Sequence, residues 1–278
     1  MPQPVDLYKK LWIPDGAMNA LVIMVHGIGE HSGCYNNWAE KFVEHSTGFL
    51  AFDLRGHGKS PGVRGHASLR VIMDDLQAII EDIQKKYPNI SIFLLGNSMG
   101  GQIALNCAIS ENIKVQGIIA SSPWLKLERP PSPILVWLAR GASHIAPWFT
   151  VRTGVRADQL STGGAGIKST KTDPLLHKKI SIKLFSDLWK NGDMLLRNRR
   201  RIHIPLLLMY GTADPLTSYH AGKSFVQNAG EYATFKQWNG MRHDLLNDAD
   251  SEVVFQYVMK WLSKQMIENG TVPNSGKM

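Results

Sequence analysis

The chain has 278 residues, with 31 Lys or Arg against 23 Asp or Glu, a formal net charge of +8. Apolar residues make up 44%, enough for a sizeable core in one domain that carries an insertion. No run of 18 apolar residues occurs, which excludes a transmembrane helix, and the two cysteines, Cys34 and Cys107, are too few for a disulfide framework. Residues 1–6 lack a basic stretch followed by an apolar one, so no secretory signal is expected. A reducing, cytoplasmic location is the default expectation.

The elements alternate along the chain. Residues 21–25 form a short apolar run that ends at His26-Gly27 and reads as a buried strand. A helical pattern follows over 35–46, then a strand over 48–52. A longer helix over 69–87 carries Val71, Ile72, Leu76, Ile79, Ile80 and Ile83 on one stripe and stops at Pro88. A strand over 90–95, a helix over 99–109 and a strand over 115–120 continue the rhythm. After a break, strands over 204–210 and 233–238 and a helix over 250–266 close it. Strand–helix alternation predicts an α/β fold, a mostly parallel sheet flanked by helices.

The break covers 124–203, rich in Pro, Trp, Arg and Gly and without a convincing buried strand. It reads as a helical cap inserted after a central strand. The core then comprises 1–123 and 204–268, and 269–278 is expected to be a disordered tail. Residues 126–203 hold 15 Lys or Arg against 5 Asp or Glu, a net +10, while the remainder holds 16 against 18. The positive excess therefore belongs to the insertion. It is either a solvated basic surface or a face toward anionic lipid headgroups, where each cation contributes about 1 kcal/mol. No nucleic-acid motif accompanies it. Within it, residues 133–138 and Ile145, Pro147, Trp148 and Phe149 surround Arg140. They suit an interfacial helix, or a lid packed over an acyl chain.

The chemistry is concentrated in three loops. Gly96-Asn97-Ser98-Met99-Gly100 fits G-x-S-x-G between a predicted strand and a predicted helix. That context makes a sharp turn that exposes the Ser98 hydroxyl, with helix-terminal N–H groups beside it. A serine hydroxyl needs a base, and the base needs an acid to orient it. In the chain order serine, acid, histidine, Asp214 follows the strand over 204–210. His243 lies in the loop after the strand over 233–238. Asp214 could instead cap a helix ahead of Pro215. Asp244, Asp248 and Asp250 fit the acid less well, and His220 fits the base less well. The loop His26-Gly27-Ile28-Gly29-Glu30-His31 follows the first strong strand, so Ile28 and Met99 are the expected backbone N–H donors of an oxyanion hole. His26 and His31, with one Glu between, make no strong metal pattern, and no cofactor is expected. Residues 53–60 read as a structural turn framing the site.

These motifs resemble the monoglyceride lipase and lysophospholipase family of serine α/β-hydrolases. The likeness rests on His26 to Gly33, Asp53 to Ser60, Gly96 to Gly101, Asp173-Pro174-Leu175-Leu176, Tyr210 to Asp214 and Met241-Arg242-His243, and covers roughly residues 20–262. One departure is Asn97, where many members carry His; its side chain is expected to point away from the oxyanion hole. The resemblance implies hydrolysis of single-chain lipid esters, monoacylglycerols first and lysophospholipids as an alternative. The three-residue constellation alone implies only an acyl bond. A small-ester esterase and a non-enzymatic scaffold are the competing readings. Ser98 at the nucleophile position disfavours relatives that attack with Asp.

Overall fold

The computed structural model describes residues 5–110, 114–163, 173–198 and 201–268. The tail over 269–278 and residues 164–172 of the insertion lie outside the described residues. The strands are β1 (Lys9–Trp12), β2 (Ala20–Val25), β3 (Thr47–Phe52), β4 (Ser91–Asn97), β5 (Gly117–Ser121), β6 (Thr150–Arg152), β7 (Lys179–Ser181), β8 (Leu206–Gly211) and β9 (Ala233–Trp238). The helices are α1 (Asn36–Glu44), α2 (Leu69–Lys86), α3 (Met99–Ile109), α4 (Pro133–Ile145), α5 (Ala157–Leu160), α6 (Ile182–Arg197), α7 (Tyr219–Ala229) and α8 (Ser251–Glu268).

Seven strands make one sheet in the order β1-β3-β2-β4-β5-β8-β9, parallel except for β1 against β3. The five inner strands β3, β2, β4, β5 and β8 are buried at every residue. Alternate side chains of a strand face opposite sides, so a strand buried on both faces must be apolar throughout. On β2, Leu21, Ile23 and Val25 enter one core with Ile72 and Leu76 of α2 and Ile103 of α3. Val22 and Met24 enter the other, with Trp38 and Phe42 of α1 and Phe255 of α8. Helices on both faces of a mostly parallel sheet are the expected α/β-hydrolase architecture.

From β2 the chain crosses one way to β3, then back past β2 to β4. The loops leaving the carboxyl ends of β2 and β4 therefore diverge and open a crevice, where open α/β sheets place their sites.

The structure differs from the sequence reading in four places. β1 is an additional antiparallel edge strand of four residues, half-buried at best, too short to show a period. The helix predicted over 35–46 is a 3-10 turn, Ser32–Tyr35, followed by α1. Between β5 and β8 the elements are not all helical: β6 and β7 pair antiparallel, Val151 against Ile180. Three-residue strands with exposed residues leave no recognisable pattern. Finally, α6 is a regular helix with an N-cap at Ser181 and a stripe of Leu184, Leu188 and Leu195. Those leucines lie in the same core as α2 and α3, together with Trp124 and Leu125. Part of the segment over 124–203 therefore packs into the core beside the sheet.

Candidate active site

Ser98 sits between the last residue of β4 and the first of α3, with φ 54° and ψ −112°. A non-glycine residue in that region costs about 1–3 kcal/mol of strain and persists only where its surroundings enforce it. Here they do. Ser98 N–H donates to Ser121 O of β5 at 2.9 Å, and Ser98 O accepts from Gln102 N and Trp124 N at 3.1 Å each. The turn closes so tightly that a Cβ on Gly96 would lie 2.2 Å from Gly100 O, and one on Gly100 would lie 1.9 Å from Val25 O. Both positions therefore need glycine, which is the physical content of the G-x-S-x-G spacing.

Two other strand ends deliver the partners. β8 ends at Gly211 and leads to Asp214; β9 ends at Trp238 and leads to His243. The two loops lie against each other through Thr212 N–H to Trp238 O (2.9 Å) and Ala213 N–H to Met241 O (3.0 Å). Met241, Leu245 and Leu246 are buried in the core, which anchors the His243 loop from both sides. His243 Nε2 then lies 2.8 Å from Ser98 Oγ, and His243 Nδ1 lies 2.8 Å from Asp214 Oδ2. Ser98 and Asp214 are 8% exposed and His243 3%. The structure thus brings together the three residues chosen from sequence.

Asp214 does not cap a helix, because α7 begins later, after Ser218. Its Oδ1 accepts from the N–H groups of Leu216 (2.7 Å) and Thr217 (3.1 Å), and its Oδ2 accepts from Thr217 Oγ1 at 2.7 Å. Burial works to raise the Asp214 pKa, but the His243 charge and these donors outweigh it and hold the carboxylate below its ordinary value. Burial likewise works to lower the imidazole of His243. The charge and hydrogen bond of Asp214 win, helped by Asp244 and Glu30, and the net shift is upward. Only neutral His243 can take the Ser98 proton, so activity falls on the acid side as His243 protonates. The acid limb of kcat/KM is therefore expected above the ordinary imidazole value. In Asp214→Asn it should move to lower pH, because the main upward influence is gone. A pH–rate profile of the two proteins checks both statements; an unmoved limb would disconnect Asp214 from His243.

Ile28 and Met99 are the residues expected to supply the oxyanion N–H groups. Met99 opens α3, and Ile28 lies in the turn after β2. That turn is closed by Glu30 N–H to Gly27 O at 3.3 Å and Gly27 N–H to Glu30 Oε2 at 2.7 Å. His26 braces it from below. Leu54 N–H donates to His26 Nε2 (3.0 Å), which leaves Nδ1 to carry the proton and donate to Gly27 O (2.7 Å). Burial drives the His26 pKa down to about 3, so the ring is a neutral strut. His31 is also committed: Gly33 N–H donates to its Nδ1, and its Nε2 meets Asp173 Oδ2 at 2.9 Å. Among the described residues, no group of three or more His, Cys, Asp or Glu could hold a metal.

The turn over 53–60 frames the site. Asp53 accepts from Ser32 N and Lys59 N, both at 2.7 Å, and Ser60 Oγ donates to Asp53 O. Asp248, a rival acid in the sequence, accepts from Thr162 N and Thr162 Oγ1 instead. Sequence reasoning missed Thr217, which anchors Asp214, and gave no role to Glu30, whose carboxylate closes the Gly27 turn, or to Asp244, weighed only as a rival acid and here next to His243 and 8% exposed. A threonine three positions after an acid at a turn is a local signal that could have been used. The Glu30 contact with Gly27 spans three residues, but its link to Asn97 spans 67 and leaves no local signal.

Residues 16–250 match the hydrolase family described as serine aminopeptidase, S33. The chain is 30% identical over 95% of its length to an uncharacterized abhydrolase domain-containing protein of Dictyostelium discoideum, of which it spans 28%. It is 27% identical to a monoacylglycerol lipase of Mycolicibacterium smegmatis, over 93% of each chain. The crystal structure of Paleococcus ferrophilus monoacylglycerol lipase superposes with a TM-score of 0.86 at 32% identity, over 94% of this chain and 99% of that one. The chain belongs to the serine aminopeptidase S33 family and, within it, to the serine α/β-hydrolases that resemble monoglyceride lipase.

Proposed function

We propose that this protein hydrolyses monoacylglycerols to glycerol and a free fatty acid through an acyl-enzyme on Ser98. The observation that carries the chemistry is the unbroken chain Ser98 Oγ, His243, Asp214, with both links at 2.8 Å, on a strained turn. Ser98 attacks the ester carbonyl while His243 Nε2 takes its proton. The oxyanion forms against the backbone N–H groups of Ile28 and Met99. His243 returns the proton to the departing glycerol oxygen, and a water repeats the sequence to release the fatty acid. Asp214 keeps Nδ1 protonated and stabilises the imidazolium. The substrate class rests on the likeness to the monoacylglycerol lipases of Mycolicibacterium smegmatis and Paleococcus ferrophilus.

The insertion over 124–203 serves in this reading as a lid and a membrane-docking face. Only Val136 and Ser143 of α4 are buried; Ile134, Leu135, Trp137, Leu138 and Ile145 point outward, with Trp137 72% and Ile145 81% exposed. Trp148 and Phe149, which follow α4 in the chain, are exposed as well, and so are Arg140, Arg152 and Lys178 of the same insertion. Exposed apolar residues and exposed cations in one segment suit the interface of an anionic bilayer. No described helix is long and apolar enough to cross one.

A hydrolysis screen across monoacylglycerols, lysophospholipids, triacylglycerols and p-nitrophenyl esters tests the substrate class. Monoacylglycerols should give the highest kcat/KM. A higher value on lysophospholipid, or on a short soluble ester, would replace this reading with one of the two alternatives.

A further inference from the structure

We propose that Glu30 is a positioning residue for acyl transfer: its carboxylate clamps the Ile28 loop to the Ser98 turn and so sets the spacing of the two oxyanion N–H groups. The inference rests on the Ser98 reading above.

The geometry is a bridge between two strand ends. Glu30 Oε2 accepts from Gly27 N–H (2.7 Å), the residue before Ile28, and from Tyr35 Oη (2.5 Å). Glu30 Oε1 accepts from Asn97 Nδ2 (3.4 Å), the residue before Ser98. One planar carboxylate thus joins the loop after β2 to the end of β4. The fit to Gly27 is close: a Cβ there would lie 2.9 Å from Oε2, 3.1 Å from Cδ and 3.2 Å from Oε1. Tyr35 is fully buried in the core against α1 and fixes the third side. No reacting atom needs to touch Glu30 for it to matter. An oxyanion donor displaced by about 1 Å costs on the order of 10²-fold in rate.

The clamp works best as an anion, because a carboxylate accepts on both oxygens and a carboxylic acid does not. Asp244 shares its buried surroundings. Burial first, and then the Glu30 charge, push the Asp244 carboxyl up to about 7. Burial also raises Glu30. Two carboxyls coupled in this way do not both ionise readily. Glu30 has three donors facing it, whereas Asp244 has the Asn247 amide on Oδ2 (3.0 Å) and, among the described residues, no partner on its buried Oδ1. Glu30 therefore ionises first and keeps its charge, and Asp244 gives up its proton only near 7. Asn97 fits this arrangement, since its amide supplies the donor that the bridge needs.

The test uses Glu30→Gln and Asn97→Leu in the full chain, on a soluble p-nitrophenyl ester, with Ser98→Ala as the reference. Three quantities are read: kcat, KM, and the inhibition constant of a trifluoromethyl ketone, which adds to serine and mimics the tetrahedral oxyanion. Glu30→Gln should lower kcat by roughly 10–10²-fold with little change in KM, and should weaken the ketone by a similar factor. Asn97→Leu should do the same to a smaller extent. Thermal unfolding establishes that each variant is folded, and if Glu30→Gln is not, Asn97→Leu decides. A folded variant that keeps wild-type kcat overturns the clamp. So does a loss of kcat without a matching loss of ketone affinity, which would mean a structural role only. Undiminished turnover in Ser98→Ala would instead overturn the Ser98 reading, so the two failures are distinct.

Discussion

Replacing Ser98 by alanine is expected to lower kcat by about 10⁴–10⁶-fold with little change in stability, because it removes the nucleophile and leaves only binding and oxyanion stabilisation. His243→Ala should cost about as much. Asp214→Asn should cost less, since Thr217 Oγ1 also lies 3.3 Å from His243 Nδ1 and still restrains the ring. The three losses should not add. Each residue acts through the 2.8 Å link to the next, so once one link is broken the others have nothing to transmit. The double variant Ser98→Ala/His243→Ala should be no worse than Ser98→Ala alone. Kinetics of the single and double variants on one soluble ester check this, and additive losses would argue that the residues work separately. A small rise in stability for Ser98→Ala is compatible with the same account, because the shorter side chain no longer holds a hydroxyl in the buried turn, although the φ of 54° stays unfavourable for alanine.

The second large effect is expected at the membrane. Trp137→Ala with Trp148→Ala removes two exposed indoles from the apolar face around α4. Each indole that enters the interface contributes about 1–2 kcal/mol, so the pair should weaken vesicle binding by roughly 10²-fold. Turnover of monoacylglycerol presented in vesicles should fall with it, while turnover of a soluble short ester should stay unchanged. The exposed cations of the insertion add a screened attraction. Binding to anionic vesicles should therefore weaken as salt rises to about 0.1 M and beyond, where the Debye length is about 10 Å. Co-sedimentation with anionic and neutral vesicles over a salt series measures both contributions. If the protein sediments with neither, the segment over 124–203 is a lid only, and the triad is unaffected.

The residues of the constellation are legible in the sequence because each announces itself locally. Ser98 needs a strand before it, a helix after it and glycines at 96 and 100, and all of that lies in one short stretch of chain. Asp214 and His243 follow apolar strands that are recognisable by themselves, and the chain order does the rest. Burial of β2, β3, β4, β5 and β8 is readable for the same reason: runs apolar on both faces admit few other structures. What is not legible depends on distant partners. Glu30 gains its role only when Gly27, Tyr35 and Asn97 converge, and Asn97 comes 67 residues later. Asp173 meets His31 across 142 residues, which the resemblance hints at without giving a reason. β1 and the β6–β7 pair are too short for periodicity, so pairing with a neighbour defines them. α6 is hidden differently: its leucine stripe is regular, but it sits in a segment whose basic and Pro-rich composition masks the helical spacing.

Ser98 as the sole acyl-accepting nucleophile is the central claim, and covalent labelling reaches it most directly. The protein is treated with a fluorophosphonate at one equivalent, its esterase activity is followed, and the adduct is mapped by peptide mass spectrometry. The expected result is one phosphonyl group per chain on the peptide containing Ser98, activity lost in proportion to labelling, and no labelling of Ser98→Ala. Labelling of another residue with loss of activity, or full activity in a chain labelled at Ser98, would contradict the account.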